Sequence, residues 1–101
     1  MDPFNALIQS FGTQMVNAIG MQNLEQLVAR GHEGSGFAEV DIVLRDKTWD
    51  GQIAAIGKIG DVRLMFIDEL SFSYQFFDSS DDIDDEEVQP DEQQQPAFQL
   101  A

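Results

Sequence analysis

Apolar residues at helical spacing open the chain. They recur every three or four positions, at Phe4, Leu7, Ile8, Phe11, Met15, Ala18 and Ile19. This period places them on one stripe of a helix. Asp2 and Pro3 favour a helix start, because an Asp side chain caps free N–H groups and Pro is tolerated at the first helical position.

A second, shorter helix is predicted after Gly20, which interrupts the stripe. Leu24, Leu27 and Val28 resume the helical spacing, and the pattern stops near Gly31. The stretch 31–36, with the sequence GHEGSG, then predicts a flexible joint. Because the helical region is almost uncharged, its outer face is typical of a surface that is partly covered rather than freely solvated.

Beyond the joint, apolar residues alternate with polar ones, which is the period of a half-buried strand. Residues 38–44 show this alternation clearly. The turn signals Asp50-Gly51 and Gly60-Asp61 bound two further predicted strands, at 52–59 and 62–66. The run LSFSYQFF, residues 70–77, predicts a fourth strand.

Short connections between consecutive strands predict an antiparallel meander, and the apolar face of such a sheet needs a covering layer. The N-terminal helices are the candidates for that layer. The sequence therefore predicts a small α+β domain over residues 1–77, with one or two N-terminal helices packed on a four-stranded antiparallel meander.

Charge divides the chain at residue 78. The 101 residues carry 19 acidic and 5 basic side chains, and the net charge is −14. Nine of the acids and none of the bases fall in residues 78–101. This segment has too few apolar groups to offset the entropy of ordering, so it is predicted to be a disordered acidic tail. A field of this sign attracts basic proteins and repels nucleic acid and anionic membranes, so a basic protein is the expected partner.

A cluster of carboxylates and an apolar tip are the candidate partner-binding groups of this tail. The tip is formed by Phe98 and Leu100, and the carboxylates belong to Asp81, Asp82, Asp84, Asp85, Glu86 and Glu87. An acidic tail with a hydrophobic tip resembles the C-termini of bacterial and phage single-stranded DNA-binding proteins, which recruit partners through that tip. The resemblance covers the tail alone. A tail that only keeps the protein in solution is the second interpretation.

Catalytic, cofactor and metal sites are not predicted. His32, the one histidine, stands in the joint without a nucleophile beside it. The sequence GHEGSG lacks the Lys and Ser/Thr of a P-loop, and the acidic cluster lacks the Gly of a calcium-binding EF-hand loop. The chain has no cysteine, so disulfides and thiolate metal sites are absent.

Large apolar side chains supply the remaining candidate contacts. Trp49 and Phe77 are candidate interface anchors, because large aromatic residues contribute strongly to binding hot spots. The stripe of the N-terminal helix is interpreted first as core. Its second interpretation is a self-association face formed by Phe4, Leu7, Ile8, Phe11 and Met15.

Two functions fit these features. The first is a small non-enzymatic inhibitor or regulator that presents carboxylates to a basic surface of the kind that binds nucleic acid. Small acidic phage anti-defence proteins resemble the chain in size and charge. The second is a homo-oligomeric assembly component or chaperone that uses the uncharged helical face.

A cytoplasmic location, for instance in the host cell of a phage, is expected for either function. No apolar run approaches the ~18 residues that a membrane-spanning helix needs, and the N-terminus lacks the positive start of a signal peptide.

Overall fold

Two helices lie on one face of a four-stranded mixed sheet in the computed structural model, which describes residues 3–32, 34–79 and 97–100. The helices are α1 (Pro3–Ile19) and α2 (Trp49–Met65), and a short 3₁₀ helix, Met21–Asn23, follows α1. The strands, in the order β3-β2-β1-β4 across the sheet, are β1 (Leu24–His32), β2 (Phe37–Leu44), β3 (Ser71–Phe77) and β4 (Ala97–Gln99). The α+β class, with helices packed on a four-stranded sheet, is confirmed.

The N-terminal helix α1 forms where the apolar stripe predicts it. Its buried residues include Ile8, Phe11 and Met15, which follow the three- and four-residue spacing. Gly20 adopts a φ of 98°, a conformation that glycine enters without the steric cost of a side chain, and the helix ends there. The expected cap by Asp2 lies outside the described residues.

The predicted second helix is wrong, because this region forms strand β1. β1 and β2 make an antiparallel hairpin, in which Ala29 lies opposite Val40. Ala29 packs in the main core under the helices, while Val28 packs on the opposite face of the sheet. Apolar residues at 24, 27 and 28 are compatible with both periods, and pairing with β2 decides between them. Of the predicted joint at 31–36, Gly31 and His32 end β1, and residues 34–36 form a turn that leads into β2.

The two strands predicted at 52–59 and 62–66 are also wrong, since this region is the single helix α2. Its buried residues Ala55, Ile59 and Val62 are spaced as one face of a helix. The hydroxyl of Thr48 accepts a hydrogen bond from the Gly51 N–H at 3.2 Å and caps the helix. The Asp-Gly pair at 50–51 therefore begins a helix and does not turn a hairpin.

The predicted antiparallel meander is wrong for the same reason. A helix, not a tight turn, connects β2 to β3, and this length of connection allows the two strands to run parallel, with Val40 beside Tyr74. The strands predicted around 38–44 and at 70–77 are confirmed as β2 and β3. Phe72, Tyr74 and Phe76 of β3 all pack with the main core.

The chain also forms a strand where an unstructured tail is predicted. Residues 97–99 form β4, which pairs antiparallel with β1 and places Phe98 opposite Ala29. Phe98 and Leu100 pack against the main core, so they supply the apolar burial that offsets the ordering of this short strand. Residues 80–96, and with them the six clustered carboxylates, lie outside the described residues.

Phe11 is the central side chain of the core. It is fully buried, and its ring contacts Phe66 edge-on at a centroid distance of 5.5 Å. The ring also lies 4.8 Å from that of Phe72. These contacts join α1 to the residue after α2 and to β3, so one side chain holds together three segments that are far apart in sequence.

We expect Phe11→Ala to lower the free energy of unfolding by ~3–5 kcal/mol, the usual cost of deleting a buried Phe. Urea denaturation followed by circular dichroism measures this loss. Phe37→Ala is the matched control: Phe37 is only half-buried, so its loss should cost clearly less. Equal losses for the two variants would show that the ring of Phe11 is not the centre of the core.

Candidate protein-docking surface

The outer face of α2 carries large apolar side chains with no covering layer among the described residues. Trp49 is 72% exposed, Ile53 51%, Ile56 41% and Leu64 68%. They are spaced by three, four and eight residues, so they follow one another along the helix on the side away from Ala55, Ile59 and Val62. Isolated exposed apolar residues are ordinary, but a contiguous row of them marks an interaction surface.

Two glycines lie in the middle of this row. A Cβ atom added at Gly57 or Gly60 would have nothing within 4 Å, so packing inside the domain does not require glycine at either position. Each glycine inside a helix costs ~0.5–1 kcal/mol relative to alanine. With no side chain at either position, the helix backbone there is open to close approach by another chain. We call the surface formed by Trp49, Ile53, Ile56, Gly57, Gly60 and Leu64 the α2 stripe.

The α2 stripe contains no charged residue, and its borders differ in sign. Helical spacing places Asp50 and Asp61 along one border, since they lie seven residues before and four residues after Gly57. Arg63 lies on the other side and is turned away from the stripe. Its guanidinium stacks 4.3 Å from the ring centroid of Phe72 and donates to the Phe72 carbonyl at 3.3 Å.

A small cleft lies beside the N-terminus of α2. It encloses about 160 Å³ and is lined by Ile19, Asn23, Leu44, Asp46, Gly51, Ala54, Ala55 and Lys58. The Asp46 carboxylate accepts hydrogen bonds from the Thr48 hydroxyl at 2.6 Å and from the Thr48 N–H at 3.0 Å. The hydroxyl and then the N–H of Thr48 hold the pKa of Asp46 below its ordinary value. These polar groups cap α2 and thereby fix the start of the α2 stripe.

On the other face of the sheet, the Arg30 guanidinium donates to the carboxylate of Asp41 at 2.6 Å. Asp41 is only 7% exposed, and the Arg30 guanidinium compensates for the water that its carboxylate has lost. Beside this pair, Val28 and Val43 form a small apolar cluster that Phe77 partly covers. This face therefore has the packing of a structural layer, whereas most of the exposed large apolar side chains lie on α2.

The two predicted aromatic anchors, Trp49 and Phe77, differ in their exposure. Trp49 begins the α2 stripe and is exposed, as an anchor must be. Phe77 is half-buried against Val28 and Val43 at the end of β3. Phe98 and Leu100 are half-buried against the main core, so this apolar tip occupies a site on its own domain.

The residues considered for self-association lie on the inner side of α1. Ile8, Phe11 and Met15 are fully buried, and Phe4 and Leu7 are half-buried against the same core. The stripe of α1 therefore packs against the sheet, as its first interpretation states. The six clustered carboxylates, Asp81, Asp82, Asp84, Asp85, Glu86 and Glu87, lie outside the described residues, and their role stays a prediction.

Sequence reasoning identified only Trp49 of the α2 stripe. The signal for the rest is present, because residues 49, 53, 56, 60 and 64 keep the spacing of a helix face. The Asp-Gly pair at 50–51 and the Gly-Asp pair at 60–61 resemble hairpin turn signals, and they obscure this longer period.

Within residues 3–32, 34–79 and 97–100, no group of three or more His, Asp or Glu side chains is arranged to hold a metal ion. None of the helices in the same residues is long and apolar enough to cross a membrane. His32 stacks on Phe37 at the end of β1, with its Nε2 atom 3.3 Å from the carboxylate of Glu39.

Comparison with protein-family models, with curated proteins and with solved structures gave no significant match.

We expect Thr48→Ala to destabilise the domain by about 1 kcal/mol, a usual cost of removing a helix N-cap. The same change should raise the pKa of Asp46, because it removes the hydroxyl hydrogen bond, which is the larger of the two that favour the charged form.

The pKa of Asp46 is lowered in the folded protein, so its contribution to stability is present above its unfolded pKa and is lost as the pH falls through the folded value. Thr48→Ala should therefore be less sensitive to acid than the wild type, relative to its own stability at neutral pH. NMR titration of the Asp46 carboxyl carbon gives the pKa directly. An unchanged pKa in the variant would contradict the assignment, and Thr48→Ser, which keeps the hydroxyl, is the control.

Proposed function

We propose that this chain is a non-enzymatic binding protein that engages a basic partner protein. In this proposal the α2 stripe holds the partner, and the carboxylates of residues 78–92 attract it. The observation that carries the proposal is the row of exposed apolar side chains on α2, which includes a Trp and has glycines at its centre. A few buried anchor residues, above all Trp, Tyr and Arg, supply most of the binding energy of a complex, and Trp49 is the anchor of this kind on α2.

The size of the α2 stripe indicates that it does not act alone. Burying an exposed Ile or Leu contributes ~1.5–3 kcal/mol, and the aliphatic residues of the stripe are already about half-covered. Association itself costs ~4–15 kcal/mol. The stripe therefore provides a specific contact but needs a second source of affinity.

Charge is the second source that this chain offers. A net charge of −14 raises the rate of encounter with a basic protein and opposes encounter with another acidic one. Carboxylates can occupy Arg and Lys groups that otherwise bind phosphate. A protein that covers such a surface acts as its inhibitor. The role that we propose is an inhibitor or regulator of a nucleic-acid-binding protein, of the phage anti-defence type.

A second candidate function is a homo-oligomeric assembly component, now formed through α2 instead of α1. Two copies of the α2 stripe can be paired about a two-fold axis between two antiparallel helices. Such an axis places Gly57 opposite Gly60 of the other copy and Ile53 opposite Leu64. Because both copies are acidic, this dimer should become stronger as salt is added, whereas a complex with a basic partner should become weaker.

The α2 stripe is tested by Ile53→Glu combined with Leu64→Glu. We expect this variant to remain folded, because both side chains point outward, but to lose the partner, because the interface would have to bury two carboxylates. Affinity capture at low and high salt identifies the partner, and surface plasmon resonance then measures the loss of affinity.

Met65→Glu is the matched control for this variant. Met65 is also exposed and adjoins Leu64, but it points about 100° away from it around the helix. The control should bind like the wild type. Equal binding by all three proteins would remove the α2 stripe from the proposal. Light scattering of the same proteins at both salt concentrations decides whether the stripe forms a dimer instead.

The carboxylates are tested by changing Asp81, Asp82, Asp84 and Asp85 to Asn and Glu86 and Glu87 to Gln. We expect the association rate with the captured partner to fall about tenfold or more at ~0.01 M salt, where charges act over ~30 Å. The difference from the wild type should shrink at ~0.15 M, where the screening length is about 8 Å.

The dissociation rate should change much less, because dispersed charges steer encounter more than they hold a complex. Substituting Gln93 and Gln94 with Ser is the uncharged control. Unchanged association rates in the neutralised variant would return the acidic segment to the role of keeping the protein in solution.

A further inference from the structure

The short strand β4 fills a groove between α1 and the edge of β1. Its three residues pair with Val28, Ala29 and Arg30, and the Leu100 N–H donates to the Leu27 carbonyl at 2.9 Å. On the helix side, the Gln9 side-chain amide donates to the Ala97 carbonyl at 2.6 Å. The segment 97–100 is thus held by backbone hydrogen bonds on one side and by a side-chain hydrogen bond on the other.

Gly12 shapes this groove. A Cβ atom at position 12 would lie 2.1 Å from Cγ of Phe98 and 2.7 Å from its Cβ. The aromatic side chain therefore rests directly on the backbone of α1, and no other residue at position 12 leaves room for it. Glycine in the middle of a helix is unfavourable by ~0.5–1 kcal/mol relative to alanine. The contact with Phe98 gives the physical reason for it here.

The groove recognises few features of its occupant. It takes an extended backbone by strand addition, an aromatic side chain at the position of Phe98 and an aliphatic one at that of Leu100. Ala97 and Gln99 are exposed, so these two positions need no particular side chain. These are the features of a site that binds an extended peptide through alternate side chains.

We propose that the groove between α1 and β1 is a binding site for an extended polypeptide segment, and that residues 97–100 of a second copy of this chain can replace those of the same chain. The occupant is identified by the contacts of β4 itself, since an identical segment makes identical contacts from either chain. The 19 residues that join β3 to β4 could span roughly 60 Å at most, which is long enough for β4 to reach the groove of a second copy. Exchange requires release of three paired residues, two half-buried side chains and the hydrogen bonds from Gln9 and to Leu27.

The first experiment supplies the segment as a separate peptide. The probe is the heptapeptide of residues 95–101, QPAFQLA, and it is titrated into full-length protein in which Phe98→Ser and Leu100→Ser have emptied the groove. The titration is followed by the NMR signals of the backbone amides. We expect saturable shifts at Gly12 and at residues 28–30, with the wild type responding at least tenfold more weakly because its groove is filled.

Two controls make the result specific to the groove. A peptide with Ser in place of Phe98 should not bind. Gly12→Ala, added to the emptied variant, should abolish binding of the original peptide, because the new methyl group occupies the place of the ring. A folded, emptied variant that shows no saturable shifts, or shifts that do not involve Gly12 and β1, overturns the proposal.

A second experiment keeps residues 97–100 within the full-length chain. It tests for exchange of β4 between copies even if the emptied variant does not fold. The chain has no cysteine, and Val28 lies directly opposite Gln99 in the pairing of β1 with β4. Val28→Cys combined with Gln99→Cys can therefore form a disulfide, because opposite residues of paired strands lie within the ~4.4–6.8 Å that the bond requires.

The link reports which chain supplies β4. A disulfide within one chain gives a covalent monomer, and exchange gives a covalent dimer. We expect the dimer fraction to rise with protein concentration towards ~1 mM, the order of the effective concentration of a tethered segment. Gln99→Cys alone measures dimers that form by chance collision. Monomer at every concentration, or no more dimer than in this control, overturns the proposal.

Discussion

The rest of the structure depends on the burial of Phe11 between Phe66 and Phe72. Phe11 comes from α1, Phe66 follows the last residue of α2, and Phe72 belongs to β3. Because Phe66 and the neighbouring Val62 are drawn into this cluster, the rotation of α2 about its own axis is fixed. The side that faces solvent is then also fixed, and it is the side that carries Ile53 and Leu64. The core contact and the exposed α2 stripe are two consequences of one packing arrangement.

The glycines of this protein differ between surfaces packed inside the domain and the exposed α2 stripe. At Gly12 and Gly31, a Cβ atom would lie less than 3 Å from side chains of the same domain, namely Phe98 and Ile8. At Gly57 and Gly60 nothing in the domain would be disturbed. The first pair is explained by contacts within the fold. Gly57 and Gly60 lower the stability of α2, and no contact within the domain explains them. A partner that packs closely against α2 would explain them.

The sequence predicted α1, β2 and β3 because each has one clear period. It failed at β1 and α2, where local signals were ambiguous. Leu24, Leu27 and Val28 fit a helix and a strand equally, and only pairing with β2 selects the strand. In α2, Asp50-Gly51 resembles a hairpin turn, but Thr48 supplies a cap that lets the same residues begin a helix. The contact of Phe98 with the backbone at Gly12 joins positions 86 residues apart, and no local sequence pattern indicates such a contact.

The strand order has a consequence for the acidic segment. β3 and β4 lie at opposite edges of the sheet, so residues 78–96 are attached to the domain at both ends. Nineteen residues reach at most roughly 60 Å when fully extended, so no carboxylate can be farther than ~30 Å from one of its attachment points. Any partner that binds these carboxylates is therefore tethered within about that distance of the domain, and its local concentration at other surfaces of the domain rises.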